Sequence, residues 1–320
     1  MLVTLEQAHA AQKAIAGTAI RTPLVRLQAD TATEVHLKLE NLQPIGSFKI
    51  RGAANVMANT PAADLASGVV TASAGNMAQG VAFCARARSI PATVIAPDTA
   101  PATKLQAIAR LGGRVIQVPF AEWWQCFETR QFPGITARFI HAFDDPYVIA
   151  GNATIALEIC EDLPAPAAVV IPWGGGGLAC GIASLLRQIS PRTRIYAAEA
   201  ETAAPLAAAW EAGEPKEVNY TPSFVDGIGS RRVFQSMLDK ARPLLDGVIV
   251  VSLAEAAAAM QLAAERNRVV LEGAAACAVA AAISGRAGAG PVIAIASGGN
   301  IDLAKFSELT SGGKARPGSV

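Results

Sequence analysis

Lys49 stands between Phe48 and Ile50 in the stretch NLQPIGSFKIRGA, Asn41 to Ala53, just after a Pro-Ile-Gly-Ser turn. A lysine in that apolar setting either runs its stem along the surface with its ammonium in water, or is held away from water and used. Desolvation lowers the basicity of a lysine, and its free amine then attacks carbonyl carbon. Four consecutive glycines, Gly174, Gly175, Gly176 and Gly177, follow the apolar run VVIPW and precede a helical segment. Glycine lets the backbone approach an anion closely, and the N–H groups opening the next helix favour phosphate. Two more loops share this strand–turn–helix placement: Ser73-Ala74-Gly75-Asn76 and Ser297-Gly298-Gly299-Asn300. Singly, each has an ordinary reading: Ser73 and Asn76 as a capping pair, Ser297 and Asn300 as turn formers, Phe48 as core. Capping does not account for all of them together with Lys49.

The elements that must position these residues can be read from the hydrophobic pattern. Apolar runs (GVVTAS, ATVIAP, RVIQV, AAVVIPW, RIYAAEA, VIVVS, PVIAIAS) alternate with helical segments such as LAEAAAAMQLAAERN. That alternation predicts an α/β protein with open, parallel, twisted sheets and helices on both faces, and the length suits either one large unit or two lobes, of which two are expected. In such sheets ligands bind beyond the carboxyl ends of the strands, where all three loops fall. A large domain is expected over 1–67 and 144–320, and a small mobile one over 68–143. QFPGI and FDDPY are the candidate lobe edges, and the tail TSGGKARPGSV is expected to fray. Thr4-Leu5-Glu6-Gln7 reads as a capping box that opens a helix.

The chain has 320 residues and a formal net charge of +1, so nothing electrostatic favours nucleic acid or an acidic membrane. No apolar run reaches bilayer length, and the N-terminus lacks the pattern of a signal peptide. The five cysteines, Cys84, Cys126, Cys160, Cys180 and Cys277, are scattered and never spaced as C-x-x-C, which argues against a disulfide framework or a zinc site. A reduced, cytoplasmic protein is expected.

A dinucleotide reading uses Gly174, Gly176 and Ala179 as G-x-G-x-x-A and Glu199 as a ribose acceptor. It leaves Lys49 and the two serine loops without a role. A phosphate cradle together with a shielded lysine points instead to pyridoxal phosphate, which needs a phosphate site, an amine for a Schiff base and a partner for its ring nitrogen.

At this point the sequence resembles a known family. GSFKIRGA, SAGNMAQGVA, GGGGL, VDGI and SGGNIDL are similar to the motifs of the fold-type II pyridoxal phosphate enzymes, whose fold is that of the tryptophan synthase β subunit. Within them the chain most resembles the threonine/serine dehydratase and serine racemase group. The resemblance implies that Lys49 carries the cofactor and moves the α-proton, with Ser73 the other catalytic candidate. It implies that Phe48 covers a ring face, Asn76 bonds the phenolic oxygen, Gly174 to Gly177 and the Leu178 N–H hold the phosphate, and Ser297 meets the ring nitrogen. Ser73, Asn76 and the backbone towards Gln79 would take the substrate carboxylate, with Met77 and Asp145 near the substrate side chain. The implied reaction is β-elimination from a β-hydroxy-α-amino acid, giving a 2-oxo acid and ammonia. A homodimer is implied as well.

Departures from the family pattern sharpen the expectation. Ala74 stands where racemases of the group carry a second serine, and a methyl group transfers no proton, so elimination is favoured over racemisation. Met77 replaces a common histidine, making the pocket more apolar. Glu199 matches one acidic residue of the group's cation site, but the second falls at Pro205, leaving only Glu201 as a substitute, and no metal is expected. The remaining alternatives are a racemase or β-replacement enzyme, an amino-acid sensor that kept the fold, and a nicotinamide dehydrogenase.

Overall fold

A computed structural model of the chain describes residues 2–31 and 33–311. The tail expected to fray lies, beyond Ser311, outside the described residues. Ten strands occur among the described residues: β1 (Leu24–Arg26), β2 (Val35–Lys38), β3 (Val69–Ala72), β4 (Ala92–Pro97), β5 (Arg114–Val118), β6 (Arg138–Phe139), β7 (Ala168–Pro172), β8 (Arg194–Ala200), β9 (Gly247–Val251) and β10 (Val292–Ile295). They form two sheets, one ordered β1-β2-β10-β7-β8-β9 and the other β5-β4-β3-β6. Every residue of β3, β7 and β10 is buried, as continuous apolar strands covered on both faces must be. The two sides of the larger sheet carry separate apolar cores, one around Ile182, Leu185 and Leu186, the other around the alanine-rich helix Gly273–Ile283.

The larger sheet is mixed rather than wholly parallel, because β1 pairs antiparallel with β2. Residues 27–34 between them are too few for a crossover, which needs a dozen residues or more. QFPGI is not a lobe edge: it joins the helix Phe120–Thr129 to β6 within the unit built on the smaller sheet. The chain leaves that unit at Asp144 and Asp145, where the long helix Pro146–Asp162 begins. The first helix, Leu5–Ile15, opens on the expected capping box, with Gln7 N–H donating to Thr4 Oγ1 (3.2 Å) and Thr4 N–H to Gln7 Oε1 (2.9 Å).

The helix Lys49–Asn59 sits at the join of the two sheets. Its Ile50, Ala53, Val56 and Met57 share a core with Val69, Val70 and Ala72 of β3. Its other side is pressed onto the helix Pro146–Asp162, where a Cβ on Gly151 would lie 2.5 Å from the Arg51 carbonyl oxygen. Only glycine permits that approach, and the third helix of the layer, Gly177–Ile189, comes as close at Gly181.

Candidate active site

The loop before Lys49 is zipped to the loop after β10. Ser47 pairs with Gly298 in an antiparallel bridge, Phe48 N–H donates to Ser297 O (3.0 Å), and Gly299 N–H donates to Gly46 O (2.9 Å). Lys49 and the buried Ser297 are thereby held on adjoining strands of chain. The Lys49 amine donates to Ala142 O (2.7 Å) and lies 5.1 Å from the Phe48 ring centre. Burial pulls its pKa down from 10.5 to about 8, against the opposing pull of the Glu272 carboxylate. An amine so shifted is partly neutral near pH 7 and able to act as nucleophile and base.

The glycine loop follows β7 and opens the helix Gly177–Ile189. Gly176 has φ +88°, and a Cβ there would lie 2.4 Å from the Trp173 ring. A Cβ on Gly175 would lie 2.1 Å from the Phe143 ring, and one on Gly177 would lie 2.5 Å from the Phe143 carbonyl oxygen. The helix's first closing bond is Cys180 N–H to Gly176 O (2.9 Å), so the N–H groups ahead of it have no intrahelical acceptor. Among the six buried side-chain polar atoms of the described residues that lack a partner are Ser47 Oγ, two positions before the lysine, and Trp173 Nε1, on the residue that precedes the glycine loop. A shielded amine and a side-chain-free anion cradle fit a phosphate-bearing aldehyde.

Asn76, at the start of the helix Asn76–Ala87, ties the smaller sheet to the other loops. Its Nδ2 donates to both oxygens of Glu272 (2.9 and 3.1 Å), and its Oδ1 accepts from Asn300 Nδ2 (2.8 Å). Ser73 Oγ accepts from Gly75 N–H (3.2 Å), and no side chain caps this helix, so its leading N–H groups are available to a carboxylate.

Glu272 was not among the residues expected from sequence. It precedes the helix Gly273–Ile283, its N–H donates to Gly298 O (3.0 Å), and burial pushes its pKa up to about 7 while the Asn76 hydrogen bond opposes the rise. Its place beside an alanine-rich helix carries no mark of a site, and only folding brings it to Asn76. The Ala142 carbonyl was equally invisible, since a backbone acceptor has no residue type.

Two expected substrate residues have other occupations. Asp145 caps the helix Pro146–Asp162: its Oδ1 accepts from Tyr147 N–H (2.8 Å) and Val148 N–H (3.2 Å), and its Oδ2 from Arg138 Nη2 (3.3 Å). An Asp directly before Pro is a strong N-cap signal, and that reading takes precedence here. Met77 is packed into the core of the smaller sheet with Ile45 and Ile50. Glu199 is likewise engaged, accepting from Leu206 and Ala207 N–H (2.9 Å each) at the start of the helix Pro205–Ala212, and Glu201 accepts from Leu253 N–H (2.8 Å). Among the described residues no cluster of His, Cys, Asp and Glu could hold a metal ion, and no helix is long and apolar enough to cross a membrane.

The chain is similar to known proteins over most of its length. The family described as "Pyridoxal-phosphate dependent enzyme" matches residues 15–298. An L-threonine ammonia-lyase of Thermotoga maritima is 37% identical over 99% of this chain and 80% of its own length. The catabolic L-threonine dehydratase TdcB of Escherichia coli is 35% identical over 96% of each chain. Among solved structures, maize serine racemase superposes with a TM-score of 0.89 at 31% identity, covering 96% of this chain and 97% of its own. A family match across residues 15–298 and relatives similar over nearly the whole chain show that the chain belongs to the pyridoxal-phosphate dependent enzymes of fold type II.

Proposed function

We propose that this enzyme removes the elements of water from a threonine- or serine-like β-hydroxy-α-amino acid and releases a 2-oxo acid and ammonia. The observation that carries the reading is the buried Lys49 amine, lowered in pKa, bonded to Ala142 O and set beside the Phe48 ring on a segment zipped to the Ser297 loop. The relatives named for threonine ammonia-lyase and dehydratase activity span nearly the whole chain and support it. Pyridoxal phosphate, when bound, supplies the electron sink that makes the α C–H bond of an attached amino acid acidic. Gly174 to Gly177 and the Leu178 N–H would seat the phosphate, Phe48 would cover a face of the ring, and Asn76 would fix its edge. Ser297 would offer the ring nitrogen a neutral hydroxyl rather than a carboxylate, which would make a weaker electron sink and suit elimination. The Ser73 loop and the open N-terminus of the Asn76 helix hold the substrate carboxylate. Lys49 would take the α-proton, the β-hydroxyl would take up a proton and leave as water, and hydrolysis of the resulting enamine would consume one water and give the 2-oxo acid and ammonia. Ala74 presents no proton donor on the opposite face, so D/L exchange is slow relative to elimination.

In this reading the 68–143 segment moves as a small lobe that closes over substrate. The exposed Leu42, Val270 and Leu303 adjoin the Ser297 loop and would be covered in a homodimer. The five cysteines are free thiols, which suits a cytoplasmic setting.

A panel of β-hydroxy amino acids, each followed by 2-oxo acid release and by D/L exchange, tests the assignment. Elimination outrunning exchange on at least one L-isomer is expected. Exchange without 2-oxo acid would replace the assignment with a racemase, the activity named for the maize neighbour.

A further inference from the structure

Behind the site lies a cluster of four buried charges that the reaction does not use. Arg51, two positions past Lys49, points about 200° around the same helix, away from the cleft. Its Nε and Nη2 grip Glu40 (2.8 and 2.7 Å), and its Nη1 and Nη2 grip Glu158 (2.6 and 2.9 Å). Nη1 also donates to Thr154 Oγ1 (3.1 Å) and Nη2 to Ile20 O (3.2 Å). Lys38 completes the set, donating to Glu158 (2.6 Å) and Thr22 O (2.5 Å), while Thr22 Oγ1 donates to Glu40 (2.6 Å). Lys38, Glu40, Arg51 and Glu158 are each at most 3% exposed, and their formal charges sum to zero.

Buried ion pairs are poor stabilisers, because desolvation offsets their attraction and apolar residues of equal volume often do as well. Two forked carboxylate pairs on one guanidinium do something apolar packing cannot, which is to fix direction. The elements joined are the ones whose mutual placement matters to the site. Arg51 lies on the lysine helix, and Glu158 on the helix pressed against it at Gly151. Lys38 and Glu40 flank the segment that holds β10 and its loop: Ala296 N–H donates to Lys38 O (3.0 Å), and Asn41 N–H to Ala296 O (3.0 Å). One more bond in that series joins Phe48 N–H to Ser297 O.

We propose that Arg51, clamped between Glu40 and Glu158, is a positioning residue that sets the rotation of the lysine helix and so the placement of the Lys49 amine against Ser297. The proposal rests on the reading of Lys49 as the cofactor lysine.

The test compares Arg51→Lys, which keeps the charge but loses the fork, with Lys38→Met, which removes a cluster charge that is not on the lysine helix. Borohydride tagging of Lys49 in the wild-type holoenzyme checks the underlying assignment first, so an untagged lysine would sink that assignment rather than this proposal. With tagging established, Arg51→Lys is expected to alter the induced circular dichroism of the bound cofactor and to lower kcat by about 10- to 100-fold, with KM within about threefold. Lys38→Met should lose thermal stability yet keep the dichroism band and kcat. If both variants lose stability and neither moves the band nor kcat, or both move them equally, the cluster is structural support only and the proposal is wrong. Should Arg51→Lys not fold, Glu158→Gln, which retains volume and one acceptor for Arg51, is read by the same two signals.

Discussion

Lys49 is subject to two opposed influences: burial strips water from its ammonium, and the Glu272 carboxylate attracts that same charge. In the cofactor-free protein, imine formation with added pyridoxal phosphate should accelerate as pH rises through about 8, where the amine loses its proton. Glu272→Gln removes the influence that raises the lysine's pKa, so the midpoint should move to lower pH, read by stopped-flow absorbance. Lys49→Ala should reduce 2-oxo acid release by at least about 10³-fold. Gly175→Ala has no room for its methyl beside the Phe143 ring. It should weaken cofactor binding at least about tenfold and cost about 1–3 kcal/mol of stability, seen by cofactor titration and thermal melting. Lys49 and Gly175 stood out in the sequence because their chemistry is in a side chain or in the lack of one. Glu272 and the Ala142 carbonyl did not, because their partners come together only in the fold.

At the scale of elements, the buried Glu199 carboxylate caps the helix Pro205–Ala212 with a pKa pushed up to about 7 by burial, against the two backbone hydrogen bonds that would lower it. The folded state therefore holds its proton more tightly than the unfolded chain does. Its contribution to stability is greatest below the unfolded value near 4.5 and declines as pH rises towards 7, by up to about 1.4 kcal/mol per pH unit. Glu272 acts in the same direction over the same range. Glu199→Gln should flatten the fall in Tm of the cofactor-free protein between pH 5 and 7, checked by melting at stepped pH. Most strands and the helix Leu253–Asn267 were readable because a strand buried on both faces is a bare apolar run and a helix repeats its face. The edge pairing of β1 was not, since Leu24–Arg26 is too short to carry a period. The capping role of Asp145 was missed for a related reason: an acid before proline serves a cap and a ligand equally well until its hydrogen bonds are seen.

At the scale of the whole molecule, the unit on the smaller sheet is fastened to the other at one side by Asp144, which binds Arg130 (2.9 Å), Lys240 (2.8 Å) and Ser236 (3.1 Å). Beside it the Trp124 and Phe234 rings stack with centres 5.4 Å apart. Asp144→Asn should loosen this side, raising amide hydrogen exchange in Phe120–Thr129 several-fold while Lys49–Asn59 stays protected. Trp173 offers another view of the assembled protein. Its indole is buried directly under Gly176, whereas Trp123, Trp124 and Trp210 are only partly covered. A chromophore seated on the glycines would lie almost in contact with one indole, close enough to drain its excited state. Loading the enzyme should therefore dim the bluest component of its intrinsic fluorescence first, making vacancy and occupancy visible in a cuvette without any label.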